Sequence, residues 1–326
     1  MPDLLQPIIK HTPFYAGQLG ISGTDSPLGI RTVTDGRVFY VDSEAITRND
    51  NNDGTDPMYP LATLLAAYNK TVSGRNDVVV LIGRSTAYAL AAPLVWRNTY
   101  THLTGVCADL NGLGQRCRVT GSNVLDLLNL VTFSGDGCVV TGIQFYNGAD
   151  AAQDSGAVVV TGDRCRFENC FFNGINHAAN VGSRADVYSL KLDASSECYF
   201  KDCTIGSDTL GRTSTNAELW LRNGSSKARF DHCLFLKYST AVTNFMVRLD
   251  VSVSTGLNIF ENCIFTNRGA ATDCFNVIGA GVFDYRTILK SCTLQGFTGW
   301  SDVLDGIWSD SPAPVNTFGV SLNPAA

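Results

Sequence analysis

FENCFF at residues 167–172 returns as FKDCTI at 200–205, FDHCLF at 230–235, FENCIF at 260–265 and LKSCTL at 289–294. The cysteines are 33, 30, 30 and 29 residues apart. VTGIQF at 140–145 takes the same place one repeat earlier, with Ile143 where the others have cysteine. Each repeat puts an apolar residue three positions before this column and another two positions after it. A repeat of roughly thirty residues predicts a solenoid of stacked coils.

A one-residue corner explains the spacing inside each repeat. Inward residues three apart would fall on opposite faces of a flat strand, so the chain must bend between them. The residue before the cysteine column is of a type that tolerates a left-handed backbone conformation in most repeats. These residues are Gly142, Asn169, Asp202, His232, Asn262 and Ser291. The pattern predicts an all-β fold, a right-handed single-stranded parallel β-helix of about seven coils of roughly 27–33 residues.

The composition excludes several classes of protein. Charged residues are 17% of the 326, hydrophobic residues are 44%, and the net charge is −6. This balance argues against disorder and against nucleic acid as a partner. No stretch is long and apolar enough to span a membrane, and the N-terminus lacks the features of a signal peptide. Synthesis in a cytoplasm is expected, and the eleven cysteines are interpreted as internal packing rather than disulfides.

The sequence predicts four segments. Residues 1–35 form an extended N-terminal arm, 36–74 an N-terminal cap, 75–297 the β-helix and 298–326 a C-terminal tail. Within the cap, residues 58–70 have helical periodicity at Leu61, Leu64, Leu65 and Tyr68, with Pro60 in the first turn. The arm carries apolar residues that are expected to be ordered by contact with a partner: Leu4, Leu5, Ile8, Ile9, Phe14 and Tyr15.

One outward column carries charges. It runs through Thr141, Glu168, Lys201, Asp231, Glu261 and Lys290. Asp231 and Glu261 on neighbouring coils would stand about 5 Å apart, the separation of a retaining glycosidase pair. The same column equally fits a solvated ladder of alternating charge. The ladder is the favoured interpretation, and the carboxylates remain candidates for catalysis.

A second outward column contains Lys191, Trp220 and Arg248, with Glu218 beside Trp220 on its strand. An exposed Trp between two basic residues is typical of a subunit interface and also of a sugar-stacking site. Glu218 joins Asp231 and Glu261 as a candidate catalytic residue under the second interpretation. A third outward column includes Phe171, Leu234 and Ile264, which predict an apolar stripe that is covered by another subunit or by a loop.

Neither a metal site nor a cofactor is predicted. NDNNDGTD at 49–56 resembles a calcium loop, but Asn49 stands where the first ligand should be Asp, and Pro60 where the closing Glu should be. A loop of Asx-turns is the favoured interpretation. None of the histidines at 11, 102, 177 and 232 has a recognisable catalytic partner in the sequence.

The chain resembles known proteins in two places. GRVFYVDS at 36–43 with NDNNDGTDPMYPLATLLAAY at 49–68 resembles the start of pectate-lyase-like β-helix proteins. CTIGSDTLGRTSTNAELWLRNGSSKARFDHCLF at 203–235 more narrowly resembles tailed-phage β-helix virion proteins. The resemblance covers about 36–297 and implies a virion structural protein of the head decoration or cement type, commonly a homotrimer. It supplies no catalytic motif that matches these positions.

These observations favour a non-enzymatic decoration protein on the capsid surface of a virion. Its partners would be further copies of itself, as a homotrimer, and the major capsid protein. On this hypothesis the apolar residues of the arm at 1–35, alone or with the tail at 298–326, would anchor it to the capsid or to sister subunits. The alternative is a tailspike or tail-fibre β-helix that binds or depolymerises host polysaccharide. On that alternative, a host glycan would be bound through the outward faces.

Overall fold

The protein was studied as a computed structural model, which describes residues 36–106, 117–121, 129–148, 156–177, 186–250, 257–278, 286–301 and 307–311. Within them the chain forms the predicted right-handed parallel β-helix. Each coil adds one strand to each of three parallel sheets. The arm at 1–35 lies outside the described residues, and so does most of the tail, including its last fifteen residues, 312–326.

Sheet 1 has ten strands, and sheets 2 and 3 have eight each. Sheet 1 contains β1 (Val38–Val41), β2 (Val78–Ile82), β5 (His102–Val106), β8 (Val139–Thr141), β11 (Arg166–Glu168), β14 (Tyr199–Lys201), β17 (Arg229–Asp231), β20 (Leu257–Glu261), β23 (Arg286–Lys290) and β26 (Ile307–Ser309). Sheet 2 contains β3 (Tyr88–Leu90), β6 (Cys117–Gly121), β9 (Ile143–Tyr146), β12 (Phe171–Asn173), β15 (Thr204–Arg212), β18 (Leu234–Ser239), β21 (Ile264–Gly269) and β24 (Thr293–Gln295). Sheet 3 contains β4 (Leu94–Trp96), β7 (Asn129–Phe133), β10 (Gly156–Val160), β13 (Tyr188–Asp193), β16 (Ala217–Arg222), β19 (Phe245–Asp250), β22 (Asp273–Ile278) and β25 (Gly299–Ser301).

The eight strands in each of sheets 2 and 3 agree roughly with the predicted seven coils. The strands also reach beyond 75–297, since β1 pairs with β2 and β26 pairs with β23. The described part of the chain contains no helix with the length and hydrophobicity to span a lipid bilayer.

The predicted corners join sheet 1 to sheet 2. All six corner residues have a left-handed backbone, with φ between 51° and 66°. They are Gly142, Asn169, Asp202, His232, Asn262 and Ser291. At each corner one residue turns the chain, and its backbone N–H donates a hydrogen bond to the next coil. His232 N–H, for example, donates to Glu261 O at 3.0 Å. The stack of coils therefore continues through the corner. The corner prediction is confirmed.

The interior is built from stacked identical side chains. Phe200, Phe230 and Phe260 stack face to face with ring centroids 4.7 Å apart, and Phe167 extends the stack at 4.9 Å. Beside them runs the cysteine column, buried and unpaired by disulfides at Cys170, Cys203, Cys233, Cys263 and Cys292. Each Sγ contacts a backbone carbonyl of the preceding coil at 3.4–3.5 Å. The cysteines therefore pack as small apolar side chains that bridge neighbouring coils.

The N-terminal cap contains one short helix, α1 (Leu64–Lys70). It begins six residues later than the predicted segment at 58–70, because Thr63 is its N-cap and accepts a hydrogen bond from Ala66 N–H. Pro60 is therefore outside the helix, and Leu65 is exposed rather than buried. Leu61 and Leu64 do pack into the core, so the helix covers the first coil as predicted.

Candidate functional site

The outward face of sheet 1 carries two parallel columns of polar side chains. Strands expose every second residue, so each three-residue strand presents its first and third side chains and buries the phenylalanine between them. The first positions are Arg166, Tyr199 and Arg229. The second column takes the last residue of each strand, including the five-residue strands β20 and β23. It consists of Glu168, Lys201, Asp231, Glu261 and Lys290, in the predicted register. The sequence analysis identified only the second of these columns.

Tyr199 lies at the centre of this face. The guanidinium groups of Arg166 and Arg229 lie 5.3 and 5.8 Å from its ring centroid. Its hydroxyl donates to Asp231 Oδ2 at 2.9 Å. Burial and this bond to a carboxylate together raise the pKa of Tyr199 to about 12. The phenol thus stays protonated, and it joins three charged side chains from the two neighbouring strands, β11 and β17, into one group.

Asp231 and Glu261 occupy neighbouring register positions on β17 and β20, as predicted. Burial pushes the pKa of Asp231 upward, but hydrogen bonds from Tyr199 and His232 outweigh it and hold the pKa below its usual value. The hydrogen bond and charge of Lys290, together with Arg229, hold the pKa of Glu261 below its usual value. A glycosidase pair needs one carboxyl group with a raised pKa to act as the acid. Asp231 and Glu261 are neighbours in register, but neither has the raised pKa that the acid of such a pair needs.

The ladder forms only in part. Lys290 Nζ pairs with Glu261 at 2.6 Å, as the ladder predicts. Glu168 instead pairs with Arg166 on its own strand, and Lys201 lies 3.9 Å from Asp202. At Glu168 the reason is Arg166 in the first-position column, which lies on the same strand and pairs with this carboxylate in place of Lys201.

The most exposed side chains of these ion pairs are basic. The side chains of Arg229 and Lys290 are 49% and 58% exposed, whereas Glu261 between them is 17% exposed. Arg166 and Glu168 show the same contrast. The arginines and lysines therefore project over the carboxylates that hold them. A chain with a net charge of −6 presents a basic outer layer here.

The Trp220 column differs from its prediction in one respect. Lys191, Trp220 and Arg248 are register partners on the outward face of sheet 3, as expected. Trp220 is only 3% exposed, however, because the guanidinium of Arg248 lies 4.1 Å from its ring centroid. Arg248 also pairs with Asp186 on the coil before Trp220 and with Asp250 on its own strand. The Trp220 ring is covered by Arg248, so the prediction that it is exposed is wrong. Its role as a subunit or glycan contact stays a prediction.

Glu218, predicted as a candidate catalytic residue beside Trp220, does not lie at the surface. It is fully buried at the corner between sheets 2 and 3, with Oε1 2.5 Å from Arg212 Nη2. Ser189 Oγ donates to its Oε2 at 2.6 Å. Alternation is irregular on the neighbouring strand β13, since Lys191 Nζ lies 4.6 Å from the ring centroid of Tyr188 although the two residues are three apart. Glu218 is therefore not available to a glycan at the surface.

Lys237 belongs to the same buried region. It is fully buried, and its Nζ donates to Asn244 O at 2.8 Å and Thr272 Oγ1 at 3.0 Å. Burial lowers the pKa of Lys237 from 10.5 to about 7. Nothing in the repeat pattern signalled this cluster, because its residues come from the irregular ends of the strands.

Lys237 predicts a pH dependence of stability. Its pKa is lower in the folded than in the unfolded chain, so the unfolded chain binds more protons between these two values. The neutral form of Lys237 contributes fully to stability above about pH 10.5, and this contribution is lost as the pH falls to about 7. Lys237→Met should remove this part of the slope. Urea unfolding of both proteins across that range checks it, and identical slopes would contradict it.

The apolar stripe on sheet 2 is in register as predicted, with Phe171 and Leu234 half-buried and Ile264 46% exposed. What covers it stays a prediction. In the loop at 49–56, Asn49, Asp53 and Asp56 accept from backbone amides two residues on, as Asx-turns do. Among the described residues, no group of three or more His, Cys, Asp or Glu side chains is placed to hold a metal ion.

Two further residues close to Asp231 were not predicted from the sequence as candidate site residues. The sequence predicts His232 as a corner residue without a recognisable catalytic partner, but its Nδ1 lies 2.7 Å from Asp231 Oδ1. Arg229 was not considered, although it stands two residues before Asp231 on the same strand. Both residues lie close to Asp231 in the segment RFDH at 229–232, and this proximity was the available signal in the sequence.

The fold matches those of known polysaccharide-processing enzymes. No family model matches the sequence, and no curated protein sequence does. Pectin methylesterase PemA from Erwinia chrysanthemi aligns with TM-score 0.52 at 14% identity, covering 83% of this chain and 80% of its own. Pectate lyase Pel9A aligns with TM-score 0.52 at 14% identity, covering 85% and 75%. The chain shares their parallel β-helix fold.

A third similarity is weaker. A tailspike protein of an Acinetobacter baumannii bacteriophage, described as a capsular polysaccharide depolymerase, aligns with TM-score 0.38 at 13% identity, covering 72% of this chain and 51% of that one. A likeness of this size carries no argument about function. None of the structures named here is a capsid decoration protein.

Proposed function

We propose that the protein binds an acidic polysaccharide through the outward face of sheet 1, as a tailspike or tail-fibre β-helix of a phage virion. The observation that carries this proposal is the group built around Tyr199, in which two arginines lie against one ring above ordered carboxylates. The fold shared with pectin-processing enzymes supports it as a scaffold on which glycans are bound.

The chemistry of the exposed groups indicates an acidic ligand. Guanidinium groups bind carboxylates through paired N–H donors, and Tyr199 restricts the orientation of both. Arg166 and Arg229 lie two strands apart, about 10 Å along the helix axis at roughly 4.8 Å per strand. A glycan with regularly spaced carboxylates would therefore lie along the axis, across the strands. Asp231 and Glu261 would accept hydrogen bonds from its hydroxyl groups.

Arg229→Ala should weaken binding of an acidic polysaccharide about tenfold, equivalent to about 1.4 kcal/mol. The loss follows from removing the half-exposed donor at the centre of the face. Affinity should be measured by calorimetry with polygalacturonate, alginate and neutral dextran, at low and high salt. Dextran should bind weakly or not at all.

Arg268→Ala is the matched control. Its guanidinium lies 5.1 Å from the ring centroid of Tyr238, a similar contact on sheet 2. This variant should bind like the unaltered protein. Equal losses in the two variants, or equal affinity for dextran, would show that the sheet 1 face is not the binding site.

The virion location and the homotrimer remain parts of this proposal. No contact or charge among the described residues favours head decoration over glycan binding. The proposed function therefore includes neither a role in head decoration nor the major capsid protein as a partner. Electron microscopy of the intact particle tests the location, and protein on the head lattice alone would contradict a tailspike.

A further inference from the structure

We propose that His232, oriented by Asp231, is the general base of a site that hydrolyses acyl esters, acetyl above all, on the sugars of the bound polysaccharide. Arg229 would be the donor to the oxyanion. This inference rests on the proposed function, because it takes the same face to bind the glycan, and it adds a reaction to that binding.

The hydrogen-bond pattern decides which nitrogen of His232 acts as the base. Asp231 is ionised, and an ionised carboxylate only accepts hydrogen bonds. Nδ1 of His232 must therefore carry the proton that Asp231 Oδ1 accepts at 2.7 Å. In the neutral ring Nε2 then has a free lone pair, as a general base requires.

Exposure places this base at the surface on a fixed support. The His232 side chain is 57% exposed, whereas Asp231 is 14% exposed. Tyr199 holds the second oxygen of the same carboxylate, so Asp231 cannot rotate freely. His232 sits on a corner whose amide is bonded to the next coil. Asp231 and Tyr199 are therefore positioning residues, and His232 is the group that would touch water.

Arg229 stands where it can stabilise a developing negative charge. It is two residues before Asp231 and on the same face of β17. One of its five N–H donors is used on Glu261 at 2.6 Å, and half of the side chain is exposed. Donors aimed at a tetrahedral oxyanion are a main source of catalysis in acyl transfer.

These groups fit ester hydrolysis better than cleavage of the glycan chain. Hydrolysing a glycosidic bond with a carboxylate pair needs one protonated carboxylic acid, and the pKa values of Asp231 and Glu261 are both held below their usual values. Hydrolysing an acyl ester needs only a base, a water molecule and a donor for the oxyanion.

The reaction can be written without a further reactant. His232 Nε2 takes a proton from water as its oxygen bonds to the ester carbonyl carbon. The carbonyl electron pair moves to oxygen, where Arg229 donates to it. When that pair returns, the bond from carbon to the sugar oxygen breaks. The sugar oxygen takes the proton from His232, which yields a free hydroxyl and acetic acid.

The test uses the full chain with acetylated xanthan and acetylated alginate, and follows released acetate. His232→Asn is the informative variant, because Asn169 and Asn262 occupy equivalent corners with φ of 51° and 54°. It should lower kcat at least about a hundredfold, as expected for loss of a general base, and leave KM and binding unchanged. Added imidazole should restore part of the rate. Ser291→Asn changes another corner of the same column and should leave kcat unaltered.

The outcomes separate this inference from the proposed function. Binding of both glycans without acetate release would overturn the esterase site and leave the binding proposal standing. Absence of binding would overturn both. Equal rates for His232→Asn and the unaltered protein would exclude His232 as the base. Release of methanol from methyl-esterified pectin, without release of acetate, would overturn the choice of acyl ester.

Discussion

Glu218→Ala should lower the free energy of unfolding by about 3 to 5 kcal/mol, the cost of leaving a buried charge without its partner. Glu218 and Arg212 are both fully buried, and their side chains meet at 2.5 Å. Burial already raises the pKa of Glu218 and lowers that of Arg212, so each depends on the other to stay charged. Denaturation in guanidinium chloride, followed by circular dichroism, measures the loss.

Two variants control this result. Glu261→Gln disrupts a pair whose basic partners are about half exposed and should have a much smaller effect. Replacing Arg212 and Glu218 together with methionine should be less damaging than Glu218→Ala alone, because no unpaired charge remains. If the double variant were the less stable one, the argument from charge burial would be wrong.

Phe230→Ala should cost a comparable amount, about 3 to 5 kcal/mol, because it opens a cavity in the centre of the core. Phe230 is fully buried and stacks on Phe200 and Phe260, with both centroid distances at 4.7 Å. It also contacts Phe235 at 5.9 Å. Its removal therefore takes contacts from three coils.

Trp308→Ala provides the comparison, because Trp308 is larger but 70% exposed. A surface substitution of this kind should change stability by about 0.5 kcal/mol or less. The same unfolding measurement serves for both variants. A loss at Trp308 as large as that at Phe230 would mean that size rather than burial decides the effect.

The repeat predicted the fold because it records what each coil must do at the same place. An inward phenylalanine, a left-handed corner and an inward cysteine recur in that order, and the structure places them as expected at Phe230, His232 and Cys233. The register of Asp231 and Glu261 follows from the same repeat. Features that depend on period and alternation could therefore be predicted from the sequence alone.

The rest depends on side chains that break the alternation or reach across coils. Glu218 turns inward where the strand is irregular, and the pattern gave no sign of it. Trp220 is covered because Arg248 is long enough to reach past it to Asp186. The contact between Asp231 and His232 depends on one rotamer at a corner. Such contacts follow from three-dimensional placement and not from the spacing of residue types.

The link from Arg248 to Asp186 also bears on how the molecule opens. Strands of a solenoid pair only with those of adjacent turns, so folding can propagate from one turn to the next as in a one-dimensional zipper. Arg248 on β19 and Asp186 just before β13 are separated by the whole of β16. When unfolding from one end reaches these residues, the ion pair between Arg248 and Asp186 still joins the three turns that it spans. These three turns should therefore unfold as one cooperative unit.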